Sequence, residues 1–263
     1  MNTNKVLPVW EKDKVIFNNK DLPSGFRAVI VGQTGLGKTT LLLKLLIYNL
    51  DFENLIICSP SLIYQTEYKI LINSLKKGLD MSHIESIFRY QDEIDDVNTL
   101  IDEISMRINT SNSSGIYVKT YKDPEELPFP EELVNTLPEG KKRTLVIIDD
   151  CLKKKQNRLQ DYFVYGRPLN INTIYLSQSY FDLDLHTIRN NCQVVIAFEL
   201  TNTDLRNSYE QLGSKSFDTL KEFKTFAKEA WESVKDKEGR NRGYFVVDFT
   251  KSNENRLSMN HYE

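Results

Sequence analysis

Residues 26–50 read FRAVIVGQTGLGKTTLLLKLLIYNL, and this stretch decides the fold. Arg27–Val31 is a short run of β-branched and apolar residues of the kind that forms a buried strand. TLLLKLLIYNL, residues 40–50, is an apolar helix. Between them lies GQTGLGKT, which fits G-x-x-x-x-G-K-[ST] at Gly32, Gly37, Lys38 and Thr39. Strand, glycine-rich loop and helix in that order form a phosphate cradle. Gly32, Gly35 and Gly37 allow a tight turn that brings backbone N–H groups against phosphate oxygens. The helix beginning near Lys38 adds the positive end of its dipole. The Lys38 ammonium is expected on the β and γ phosphates and the Thr39 hydroxyl on magnesium, with Gln33, Thr34, Leu36 and Thr40 completing the nucleotide cradle.

The rest of the chain is read outward from this loop. Apolar runs at Leu55–Cys58, Thr144–Ile148, Thr173–Leu176, Val194–Phe198 and Tyr244–Phe249 predict further buried strands. Segments between most of them are long enough for helices, notably Glu67–Leu79 and Asp92–Ile108, the latter with Ile94, Val97, Ile101, Ile104 and Ile108 at helical spacing. Continuous apolar strands alternating with helices predict an α/β fold, with a mostly parallel sheet covered on both faces. Asp123–Arg143 holds half the prolines and is expected as an excursion from the sheet edge. After Thr203 a helical pattern runs to about Val234, and a turn between Gly239 and Gly243 precedes the last strand. A single domain over residues 1–263 is expected, with an N-terminal extension at 1–20 and C-terminal helices and a final strand from about 203.

Composition narrows the function. A net charge of −3 excludes a uniformly basic surface, so a nucleic acid partner must meet a local patch. Cys58, Cys151 and Cys192 follow no metal-ligand spacing and are expected as reduced core thiols. MNTNKVLPVWEKDK lacks the apolar run of a secretory leader, and Thr40–Leu50 is too short for a membrane span and carries Lys44. A soluble protein with no membrane partner is therefore expected.

Two more strands end in chemistry. LVIIDD delivers Asp149 and Asp150 to the carboxyl end of a strand, where ligands gather in open α/β sheets. Asp149 is expected on magnesium and Asp150 on the attacking water. INTIYLSQS ends in Ser177, Gln178 and Ser179, and the Gln178 amide suits a sensor of the γ phosphate or the lytic water. The long interval between Lys38 and Asp149 leaves room for an inserted strand.

GQTGLGKT, LVIIDD and YGRPLNINTIYLSQSYFDLDLHTIRNNC together resemble the FtsK/HerA superfamily of P-loop ATPases, in particular the genome-packaging ATPases of large DNA viruses, virophages and their relatives. CSPS, residues 58–61, is also similar to the segment after the second strand in that group. The resemblance spans roughly Arg27 to Phe198. It implies a three-layer RecA-like core and ATP hydrolysis with magnesium. It also implies a pentameric or hexameric ring that drives double-stranded DNA into a preformed capsid at a portal vertex, in the host cytoplasm or a viral factory. By position it implies Lys38 and Thr39 on nucleotide and magnesium, Asp149 on magnesium, Asp150 as catalytic acid and Gln178 as sensor. An arginine serving a neighbour's nucleotide is assigned first to Arg167 and second to Arg189. Two departures stand out: Asp150 occupies a position where many such motors carry glutamate, and Pro168 stands where close relatives have histidine.

DNA held without base readout needs cations. Lys153, Lys154, Lys155 and Arg158, directly after the acidic strand, are the first candidates, and Lys237, Arg240 and Arg242 the second. Two other functions share the phosphate loop: a small-molecule kinase, which lacks a visible arginine-rich lid here, and a nucleotide-gated scaffold that hydrolyses poorly.

Overall fold

The structure is a computed structural model that describes residues 24–90, 96–107, 115–140 and 142–259. The expected N-terminal extension, residues 92–95 and Ile108 of the expected second helix, and Lys141 of the proline-rich stretch lie outside the described residues.

Eight strands form one sheet: β1 (Arg27–Val31), β2 (Asn54–Cys58), β3 (Tyr117–Tyr121), β4 (Thr144–Asp149), β5 (Ile171–Ser177), β6 (Val194–Ala197), β7 (Phe245–Asp248) and β8 (Leu257–Met259). Their spatial order is β3-β2-β4-β5-β1-β6-β7-β8. β1 to β6 run parallel, and β7 and β8 add two antiparallel strands at one side. The central strands are buried throughout because helices cover both faces, which is why they read as continuous apolar runs.

Helices α1 (Lys38–Tyr48), α2 (Thr66–Lys76), α3 (Met81–Tyr90) and α4 (Val97–Arg107) precede the proline-rich stretch. Residues from these four helices, such as Leu42, Leu71, Ile87 and Ile101, pack with Ile30, Ile57, Ile147 and Ile174 of the sheet in one buried cluster. Helices α5 (Pro130–Thr136), α6 (Asn157–Tyr165), α7 (Asn202–Leu212) and α8 (Leu220–Glu232) follow it. They cover the opposite face, where Leu133, Phe163, Leu205 and Phe223 meet Val29, Val146 and Tyr175. Alternate residues of each strand thus face different helical layers, as strand geometry requires.

The structure refines the sequence expectation in four places. The helical pattern after Thr203 is two helices: α7 stops at Gly213, against which the Phe223 ring packs too closely for any Cβ, and α8 restarts on a Thr219–Glu222 capping box. The proline-rich stretch leaves edge strand β3 but contains α5, whose Pro130 occupies the first helical position, where a missing N–H costs nothing. α3 is a separate helix in the segment after Leu79. β3 and β8 are additional strands, since YVKTY and LSM are half-buried edge segments without an apolar run to announce them.

Candidate functional site

Gly32 leaves β1 at φ +154, and a Cβ there would stand 2.5 Å from the Phe198 Cβ, so only glycine passes. The loop is then tied to both neighbouring strands: Gly32 N–H donates to Ser177 O at 3.2 Å and Gln33 N–H to Glu199 O at 3.3 Å. Gly37 caps α1 in the left-handed region at φ +103, and no side chain caps the helix. The first-turn N–H groups beside half-buried Thr39 and Thr40 therefore form an anion site with no side-chain occupant of its own. Lys38 Nζ spans the loop, donating to Gly32 O at 2.6 Å and Gln33 O at 2.9 Å. Burial pulls the Lys38 ammonium below its usual range, and the nearby Asp149 and Asp150 carboxylates partly offset that pull.

Those carboxylates share the loop's edge of the sheet because β5 lies between β1 and β4. The parallel register aligns Val31 with Ser177 and Asp149 with Leu176, so the loop, Gln178 and the two acids emerge together. Asp149 is only 6% exposed, and among the described residues the two side-chain donors to its carboxylate fall on Oδ2: Tyr68 hydroxyl at 3.0 Å and Gln65 Nε2 at 3.4 Å. Among the described residues no side-chain donor reaches Oδ1, the atom that could meet a cation. Burial raises the Asp149 carboxyl above its usual range, against the lowering effect of the Tyr68 and Gln65 bonds. Among the described residues no group of three histidine, cysteine or acidic side chains could hold a metal. A cation shared by Asp149 and Thr39 would be completed by substrate phosphates and water, the arrangement magnesium prefers. Asp150 is exposed and held at φ +56, a left-handed conformation uncommon outside glycine, and its Oδ1 accepts from Gln178 Nε2 at 3.4 Å.

Three contributors were missed in the sequence. Gln65 and Tyr68, at the start of α2, orient Asp149; Gln65 also reaches Ser61 Oγ at 2.6 Å, tying CSPS to the site. Asp204, buried in the first turn of α7, accepts from Ser179 Oγ at 3.1 Å, Tyr180 N–H at 3.1 Å and Phe181 N–H at 2.9 Å, and so fixes the segment that follows Gln178. Third, the turn read as a DNA contact proves to be a hairpin at residues 235–241 that, with Arg242 just beyond it, lies against the phosphate loop: Asn241 Nδ2 donates to Glu199 Oε2 at 3.1 Å, and Arg242 Nη1 donates to Gly35 O. Local motif spacing carries no sign of contacts across such separations.

Arg167 is exposed at the opposite edge, before β5. Its backbone abuts Gly25 just ahead of β1, where a Cβ would meet the Arg167 Cα at 2.6 Å. The length of β5, about 20 Å at roughly 3.3 Å per residue, separates Arg167 from the phosphate loop of its own chain. Arg189 is half-buried, donates to Gln211 at 3.1 Å and faces the Phe181 ring at 5.1 Å. Of the cations after β4, Lys154 and Lys155 pair with Asp123 and Glu125 at 2.9 and 3.1 Å, Arg158 covers the Phe129 ring and Lys153 is exposed. In the hairpin Lys237 is exposed, while Arg240 and Arg242 both bond Asp236. All three thiols are buried, and burial pushes Cys192 up to about 12. No described helix is long and apolar enough to cross a membrane.

No protein-family model matches the chain, and no curated protein matches it. Among solved structures it is similar to the genome packaging NTPase B204 from Sulfolobus turreted icosahedral virus 2 in complex with ATP-gammaS, at 14% identity and TM-score 0.52, covering 90% of this chain and 98% of that one. It is likewise similar to B204, the DNA-packaging ATPase from Sulfolobus turreted icosahedral virus, at 16% identity, TM-score 0.52 and the same coverage. At this identity the likeness is one of fold, and the fold is the RecA-like P-loop one expected from the sequence.

Proposed function

We propose that this chain is an ATP-hydrolysing motor that translocates double-stranded DNA into a preformed capsid. The observation that carries the reading is the convergence of Lys38, Asp149, Asp150 and Gln178 on one sheet edge, with β5 inserted between the phosphate-loop strand and the acidic strand. The fold it shares with the B204 packaging NTPases supports the same reading.

In this reading the ATP phosphates lie along residues 32–40, and Lys38 exchanges its loop carbonyls for β and γ phosphate oxygens. Thr39 and Asp149 would hold magnesium, which when bound neutralises charge on the phosphates. Asp150 accepts a proton from the attacking water while Gln178 orients that water. The new bond joins the water oxygen to the γ phosphorus, the bond to the β–γ bridging oxygen breaks, and ADP and inorganic phosphate leave. Arg167 of one subunit stabilises the phosphoryl group bound by its neighbour in a ring of five or six, since its own loop is out of reach. Residues 1–263 act as one ATPase unit in this reading.

DNA runs past Lys153, Lys154, Lys155 and Arg158, with exposed Lys237 and Arg240 as a second contact; Arg242, the third cation read in that cluster, is half-buried and turned to the phosphate loop instead. The ion pairs of Lys154 and Lys155 are surface pairs worth little, so DNA phosphates can replace Asp123 and Glu125. Capsid or portal vertex, and a site of action in the host cytoplasm or a viral factory, follow from the packaging role.

The test is ATPase activity with and without double-stranded DNA, alongside mass measurement in nucleotide. Turnover stimulated by DNA in an oligomer, and lost in Lys38→Ala, is expected; DNA-independent turnover by a stable monomer would sink the motor reading.

A further inference from the structure

Arg242 stands in the sequence as one cation of a basic turn, yet its side chain is half-buried and directed at the phosphate loop. Asp236, on the same hairpin, holds the guanidinium through Nε at 3.0 Å and Nη2 at 2.9 Å. The hairpin is closed by Asp236 N–H on Arg240 O at 3.0 Å and Arg242 N–H on Val234 O at 2.8 Å. Gly243 then passes so close to α8 that a Cβ would meet Ala230 O at 2.0 Å, which fixes Arg242 in height above the sheet. The remaining nitrogen, Nη1, donates to the Gly35 carbonyl, and a Cβ on Gly37 would stand 4.0 Å from it.

A trans peptide points its C=O and its N–H to opposite sides. With the Gly35 carbonyl drawn toward the hairpin, the Leu36 N–H in the same peptide faces away from it. Gly35 has φ +81 and no heavy atom within 4 Å of a Cβ built on it. Gly35 has no side chain of its own to pack, and the Arg242 Nη1 bond to its carbonyl holds this peptide in the orientation seen. We propose that Arg242, held by Asp236, is a positioning residue of the nucleotide site that pre-orients the phosphate loop within its own chain. The inference rests on the ATPase reading and adds to it a residue outside the loop, the acidic strand and the sensor strand. Pre-orientation lowers the ordering cost of binding, so the effect falls on affinity.

The experiment uses the full chain and displacement of a fluorescent ADP analogue by ADP and by ATP. Arg242→Ala is expected to weaken both nucleotides about tenfold and to within a factor of three of each other, because ADP and ATP occupy the same cradle. Turnover at saturating ATP should fall less than threefold, so the defect appears in KM. Asp236→Asn should give a smaller loss in the same sense, and Glu238→Ala, on the same hairpin but paired with Arg240, should leave both affinities unchanged. Unchanged ADP affinity in Arg242→Ala overturns the inference, as does a loss confined to ATP, which would put the guanidinium on the γ phosphate. An equal loss in Glu238→Ala overturns it too, by assigning the effect to hairpin packing. If the wild type binds neither nucleotide, the ATPase reading itself fails; if it binds both and only the Arg242 result is null, this inference fails alone.

Discussion

Asp150 departs from a favourable backbone conformation at the point where the candidate site gathers its polar groups. At φ +56 it bears strain on the order of 1 kcal/mol that a glycine would not, yet the carboxylate it turns outward meets Gln178. Replacing Asp150 by glycine should therefore raise the stability of the chain by about 0.5–1 kcal/mol while lowering turnover a hundredfold or more. Thermal melts and steady-state ATPase on the same preparation check this, and a variant that melts lower or still turns over would remove Asp150 from its role. Asp149, its neighbour, carries no such strain and is instead held by Tyr68 and Gln65. The two acids were legible in LVIIDD, but the donors that orient the first of them were not. Tyr68 reads as one more apolar residue of an amphipathic helix, and its hydroxyl acquires meaning only when α2 packs beside β4.

At the scale of elements, the hairpin at residues 235–241 is organised around one carboxylate. Asp236 is partly desolvated, which raises its pKa, but bonds from the Arg240 N–H, the Arg240 and Arg242 guanidinia and the Glu238 N–H outweigh this and hold it well below the usual carboxylate range. A carboxyl depressed in the folded state contributes stability that is complete above its unfolded value and is lost as pH falls through its folded value. The Tm difference between wild type and Asp236→Asn should accordingly be constant from pH 7 to about 4 and narrow only below that. Closure of the gap already between about pH 6 and 5 would contradict the bonding described here. The turn itself was foreseeable from Gly239 and Gly243, whereas its partner was not. Lys237, Arg240 and Arg242 look alike in sequence, and only the packing of Gly243 on α8 sends Arg242 inward while Lys237 stays in solvent. α7 and α8 teach a related point: their apolar faces merge into one pattern, and the break at Gly213 depends on an aromatic ring that arrives from the second helix.

At the scale of the whole molecule, the phosphate loop and Arg167 occupy opposite edges of one sheet. On the ring reading proposed above, an arginine so placed serves the neighbouring subunit's nucleotide. In mixtures of wild-type and Arg167→Ala subunits, ATPase activity should fall faster than the fraction of wild-type chains, since each altered subunit silences a neighbour's site. A linear decline would make Arg167 a structural residue. Arg189, the second candidate, donates to Gln211 and faces Phe181 in its own chain and is less free to reach outward.

The sequence by itself determined the parts of this protein whose physics is local. A strand, a glycine turn and a helix start can be read from GQTGLGKT because backbone freedom, N–H geometry and the helix dipole act within a few residues. The parallel sheet follows from apolar runs that are long enough to need cover on both faces. What only the tertiary structure decided depends on neighbours far apart in the chain: the insertion of β5 between β1 and β4, the edge strands β3 and β8, the orientation of Asp149 by Tyr68, and the hold of Arg242 on Gly35. Their free energies come from contacts that exist only once the layers close, so no periodicity or motif records them.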